Sequence, residues 1–93
     1  IMIAKGQSQN RIAKDYFIEY NAYLETRTDI EIVVSFNKQV GIRAFGISRQ
    51  GHLWAIRHQL ELRSIDFSDI GDERMLSFAH KVALIVKKLI ICG

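Results

Sequence analysis

The chain has 93 residues and a mass of 10.7 kDa, the size of one domain. With 48% hydrophobic and 25% charged residues and a net charge of +3, the composition excludes a disordered polyelectrolyte and leaves about two-thirds of the surface to be buried on folding. The single cysteine, Cys92, excludes a disulfide framework and a thiolate zinc cluster and points to a reducing, cytoplasmic setting. No apolar run is long enough to span a bilayer, so no membrane partner is expected.

Ile1-Met2-Ile3-Ala4 is too short for a secretory signal and reads as a tail or a short edge strand. Proline is absent, which excludes proline turns, cis-proline bonds and polyproline linkers. One domain over 1–93 is the simplest organisation.

Residues 11–25 read as a helix. Ile12, Tyr16, Phe17, Tyr20, Tyr23 and Leu24 recur along one stripe at the helical period, with Ser8 or Asn10 placed to cap the start. Three tyrosines on such a stripe read first as core residues that keep their hydroxyls at the rim, and second as a stacking platform.

The period then changes to two. Ile30, Ile32, Val34 and Phe36 alternate with Glu31, Val33 and Ser35, which predicts a half-buried strand over 30–36. Asn37-Lys38-Gln39 reads as a link to a second strand over 40–47, and Ser48-Arg49-Gln50-Gly51 as a hairpin loop. Trp54, Ile56, His58, Leu60 and Leu62 alternate with polar neighbours, which predicts a third strand over 53–63; a helix is the rival reading there, because Gln, Leu, Glu and Arg favour helices.

Residues 72–91 give the longest uninterrupted pattern. Met75, Leu76, Ala79, Val82, Ala83, Val86, Leu89 and Ile90 fit a helix, with acids near its start and Lys87 and Lys88 near its end, as the macrodipole favours. Together these elements predict an α+β fold of order α-β-β-β-α, a three-stranded antiparallel meander with two helices on one face. Phe78, Leu84, Ile85 and Ile91 widen the last helix's apolar arc beyond one core-facing stripe, so they are the expected interface of a homodimer.

Charge is concentrated in the middle of the chain. Segments 1–29 and 64–93 are each neutral, whereas 30–63 sets Lys38, Arg43, Arg49, Arg57 and Arg63 against Glu31 and Glu61 and so carries the whole excess of +3. A basic sheet beside aromatic residues can bind a polyanion by counterion release and stacking, which makes Arg43, Arg49, Arg57 and Arg63 candidate nucleic-acid contacts. Gly41-Ile42-Arg43 and Leu53-Trp54-Ala55-Ile56 resemble the strand pattern of plant-type and integrase-arm DNA-binding domains. The α-β-β-β-α order is also that of the double-stranded-RNA-binding domain, but Asp66, Asp69, Asp72 and Glu73 stand where that family places its lysines. No family is assigned on these features.

Catalytic signals are sparse. His52, His58 and His80 lack metal-ligand spacing, no P-loop, dinucleotide or nucleophile-elbow motif occurs, and no cofactor is expected. The acids at 66, 69 and 72 lack the glycine and closing glutamate of a calcium loop. The leading expectation is a small non-catalytic binding or interaction protein, homodimeric and open to another protein partner. Nucleic-acid binding on the basic sheet is the alternative, and a small enzyme or ligand-binding domain centred on His58 is the second alternative.

Overall fold

The computed structural model describes residues 11–43, 46–72 and 75–92. Among these residues three helices, α1 (Ala13–Leu24), α2 (Asp29–Gln39) and α3 (Ile47–Leu62), are followed by a hairpin of β1 (Val82–Ile85) and β2 (Lys88–Ile91). The three-stranded meander is therefore corrected: two of its strands are helices, and the last predicted helix is a connecting segment plus a two-stranded antiparallel sheet.

The first helix occupies the predicted place. The capping candidates Ser8 and Asn10, like Ile1–Ala4, lie outside the described residues; Ile12 is the N-cap, and the Asp15 carboxylate accepts its N–H at 2.9 Å. Helix α2 starts on a reciprocal capping box. The Thr28 hydroxyl accepts from the Glu31 N–H at 3.2 Å and the Glu31 carboxylate from the Thr28 N–H at 2.9 Å. Its buried residues are Ile32, Val33 and Phe36, a helical i, i+1, i+4 set. Ile30 and Val34, which the strand reading sent inward beside Ile32, stay 68% and 47% exposed.

The same exchange of period decides α3. Gly51, Ala55, Ile56, Gln59 and Leu60 are buried, while Trp54 and Leu62 are 47% and 63% exposed. The predicted hairpin loop at 48–51 lies inside this helix, where Gly51 serves close approach rather than a turn. A Cβ on Gly51 would stand 2.5 Å from the Tyr16 Cβ and 2.6 Å from both the Ala13 carbonyl and the Phe17 nitrogen. Ala13 meets Gly51, Asn21 bonds Gln59, and the Leu24 carbonyl receives Arg63. Partners thus advance together along both helices, so α1 and α3 run in the same direction. Within 40–47, residues 44 and 45 lie outside the described set; residues 40–43 are non-helical, and Ile47 opens α3.

Helix α3 closes on a Schellman arrangement. The Ile65 N–H reaches the Leu60 carbonyl at 3.0 Å and the Ser64 N–H the Glu61 carbonyl at 3.1 Å, with Ser64 left-handed at φ 56°. The hairpin then covers the helices, burying Val82 and Leu89 in a core that also contains Leu24, Ile32, Phe36, Ile56, Leu60, Ile65 and Ile70. Both of its edges are partly satisfied. The Asn37 side chain donates to the Val82 carbonyl at 2.9 Å and accepts from its N–H at 2.8 Å, while Asp66 bonds the Lys87 carbonyl at 2.7 Å and the Leu89 N–H at 2.8 Å. Among the described residues no helix is long and apolar enough to cross a membrane.

Candidate functional site

A groove of about 500 Å³ lies between the outward face of α3 and the segment that leads into the hairpin. Its apolar wall comprises Leu53, Trp54, Met75, Leu76 and Phe78, and its charged residues are Arg49 and Arg57; no acid is among the described lining residues. The helical period creates this wall. Leu53, Trp54 and Arg57 sit one and two turns beyond Gly46 and Arg49, on the side of α3 that α1 leaves uncovered. Phe78 anchors the opposite wall by stacking on Phe36, with ring centroids 4.5 Å apart and planes 23° apart. Trp54 and Met75 are 47% and 73% exposed, so the groove presents apolar surface to solvent.

The two arginines are held differently. Arg49 donates from Nε to the Gln39 side-chain oxygen and from Nη2 to the Gln39 carbonyl, both at 3.2 Å. Arg57 donates from Nη2 to the Asp72 carbonyl, lies 3.8 Å from the Glu61 carboxylate and sits over the Phe67 ring at 5.2 Å. Its Nη1 is buried and has no hydrogen-bond partner among the described residues, and a charged donor left unmatched in that way is costly.

The four candidate nucleic-acid arginines do not form one surface, and the sheet proposed to carry them is absent. Arg63 forms an internal clasp instead, donating to Asp29 at 2.9 Å, to the Leu24 carbonyl at 3.0 Å and to Gln59 at 3.0 Å. Lys87 completes it by donating to Asp29 at 3.2 Å and to the Arg63 carbonyl at 3.0 Å. The Arg63 guanidinium, followed by the Lys87 ammonium, holds the Asp29 carboxyl below its usual range against the opposing effect of burial. Arg43 is exposed on the α2–α3 connection and has no ion pair among the described residues.

The expected interface residues also separate. Phe78 packs on Phe36, and Leu84 packs against the core. Ile85 and Ile91 are 58% and 40% exposed. The register pairs Val82 with Ile91 and Ile85 with Lys88, so strand alternation puts Ile85 and Ile91 on opposite faces of the hairpin. The continuous helical stripe that motivated the interface does not exist.

His58 lies edge-on to Phe17, with centroids 5.4 Å apart, and does not line this groove. His52 stacks on Tyr20 at 4.2 Å; burial, with the nearby Arg49 charge second, lowers its pKa and favours the neutral ring. Among the described residues no group of three His, Cys, Asp or Glu side chains could hold a metal ion. Asp66 and Asp72 instead accept backbone N–H bonds from Ser68 and Met75, and Asp69 pairs with Lys88 at 3.7 Å.

Sequence reasoning missed the groove because it placed Leu53 and Trp54 on a strand and Met75 and Phe78 on a helix. The available signal was the helical spacing of Arg49, Leu53, Trp54 and Arg57. Comparison with known proteins places the chain beside no relative: no family model, curated protein or solved structure matches it.

Proposed function

We propose that the chain is a non-catalytic binding protein whose α3 groove takes an amphiphilic acid, an apolar tail ending in an anionic head. One observation carries this reading: an apolar groove of ligand size is lined by two arginines and, among the described residues, by no acid. The tail would lie along Leu53, Trp54, Met75 and Leu76. The head would lie near Arg49 and Arg57, the two cations of the described lining. The lone thiol of Cys92, which is exposed, fits a reducing compartment and hence a cytoplasmic role.

Trp54 is the chain's one tryptophan and lies in the groove wall, so its fluorescence reports binding directly. Titration with decanoate should shift the emission saturably, and each methylene added between hexanoate and decanoate should tighten binding about two- to fourfold, as burial of a CH₂ worth up to ~0.8 kcal/mol requires. Decanoate should bind more tightly than decanol or decylammonium. Replacing both Arg49 and Arg57 by Gln should abolish that preference while leaving the dependence on tail length. Equal affinity for all three head groups in the parent protein, or no saturable change, would contradict the reading.

A further inference from the structure

A second cleft, of about 550 Å³, lies where α1, the C-terminal half of α2 and the start of α3 meet. It combines Tyr16, Tyr20 and Tyr23 with His52, Lys38 and Glu19. We infer that this cleft binds a planar ring carrying an anionic group, with nucleoside monophosphates as the ligand class. The inference is independent of the α3 groove.

The aromatic part is built before any ligand arrives. Tyr20 and His52 form a stack at 4.2 Å with an interplanar angle of 16°, and the Tyr20 hydroxyl is 3.5 Å from the Ser48 hydroxyl. Arg11 lies over Tyr16 at 4.2 Å and Arg27 over Tyr23 at 5.0 Å, so one face of each outer ring is held by a cation. Tyr23 is nevertheless 56% exposed. Tyr20 packs its ring against the core with its hydroxyl at the rim, as the first reading of the stripe has it, while Tyr16 is half-buried and Tyr23 exposed beside it.

Charge supplies the second half of the argument. Glu19 is the one acid among the described lining residues, and Arg11 neutralises it by a direct ion pair. Lys38 is exposed and has no ion pair among the described residues, while Arg49 adds positive field at His52. Burial, and after it the Arg49 charge, favours the neutral form of His52, which can donate from one ring nitrogen and accept at the other. A stacking surface, an uncompensated ammonium and a hydrogen-bonding ring match a base joined to a phosphate better than either part alone.

The test compares adenosine 5′-monophosphate, adenosine and ribose 5-phosphate by ¹H–¹⁵N shift titration of the intact chain. The monophosphate should bind at least tenfold more tightly than either half, with the largest shifts at Tyr20, Tyr23, Lys38 and His52. Tyr23→Leu should weaken monophosphate binding about tenfold, as the loss of one stacked ring implies, while leaving ribose 5-phosphate unchanged. Lys38→Gln should bring the monophosphate down to the level of adenosine. Both side chains are exposed, and unchanged amide spectra elsewhere would verify that the variants are folded. Equal binding of the monophosphate and ribose 5-phosphate would reduce the cleft to an ionic surface and overturn the inference. Shifts at the α3 groove in place of this cleft, or no saturable shift, would overturn it as well.

Discussion

Replacing Gly51 by Ala tests the helix pairing that positions both clefts. In an isolated helix this change stabilises by about 1 kcal/mol, because glycine loses more backbone freedom on folding than alanine. Here the added methyl would stand 2.5 Å from the Tyr16 Cβ and 2.6 Å from two backbone atoms of α1. Backbone cannot swing aside as a side-chain tip can, so α1 and α3 must separate along their contact. Contact this close with backbone puts the overpacking cost at roughly 3–4 kcal/mol, just above the usual range of about 1–3. The helix-propensity gain offsets about 1, leaving a net loss of roughly 2–3 kcal/mol. For a domain of this size that lowers Tm by roughly 10–20 °C. Thermal unfolding followed by circular dichroism measures it, and Gly46→Ala is the control, since nothing lies within 4 Å of its added methyl and its φ of 163° is ordinary extended backbone. A Gly51→Ala protein as stable as the parent, or more stable, would refute the close parallel packing of α1 on α3.

Val86 holds a left-handed φ of 56° at the hairpin turn and is 89% exposed, so Val86→Gly removes strain without loss of packing and should raise stability by about 1 kcal/mol in urea unfolding. Arg63→Met removes the clasp that joins α1, α2 and α3. Its side chain is 16% exposed and that of Asp29 32%, so solvent screening tempers the loss to about 2 kcal/mol, and a double-mutant cycle with Asp29→Asn should find the two coupled. Below neutral pH the dependence has one sign. Asp29, Glu31, Asp66 and His52 all have lowered pKa values in the folded chain, so the unfolded chain binds protons more readily. Stability should begin to fall as pH drops below about 6.5 through His52, and fall more steeply below about 4 through the carboxylates; His52→Gln should remove the first phase alone. Ile85→Asp should leave the fold unchanged by circular dichroism, because Ile85 is exposed on the hairpin.

The first helix is legible because its apolar residues fit one period and no other. The next two are not, because a run such as Ile30, Ile32, Val34 and Phe36 satisfies a period of two while Ile32, Val33 and Phe36 satisfy a helix equally well. Local chemistry decides between them. Thr28 and Glu31 stand at capping-box spacing, and that signal outweighs the alternation it precedes. Over 53–63 the alternation is equally strict, yet Gly51 lets α1 approach and Ala55, one turn on, is buried. At the chain's end the helical pattern fits throughout 75–90. The β-branched Val82, Ile85, Val86, Ile90 and Ile91 favour strands, and the turn at Val86-Lys87 has none of the glycine or asparagine that announces a hairpin. The groove was illegible for the same reason: its second wall is held in place by a tertiary contact, Phe78 on Phe36 of α2, that no local spacing encodes.

Intermolecular nuclear Overhauser effects between decanoate and the methyl and indole protons of the protein test the α3 groove most directly. Tail protons close to Leu53, Trp54, Met75 and Leu76, with the carboxylate end nearest Arg49 and Arg57, are the predicted result. Contacts confined to Ile85, Val86 and Ile91 of the hairpin, or a tail lying against Tyr16 and Tyr23, would contradict it.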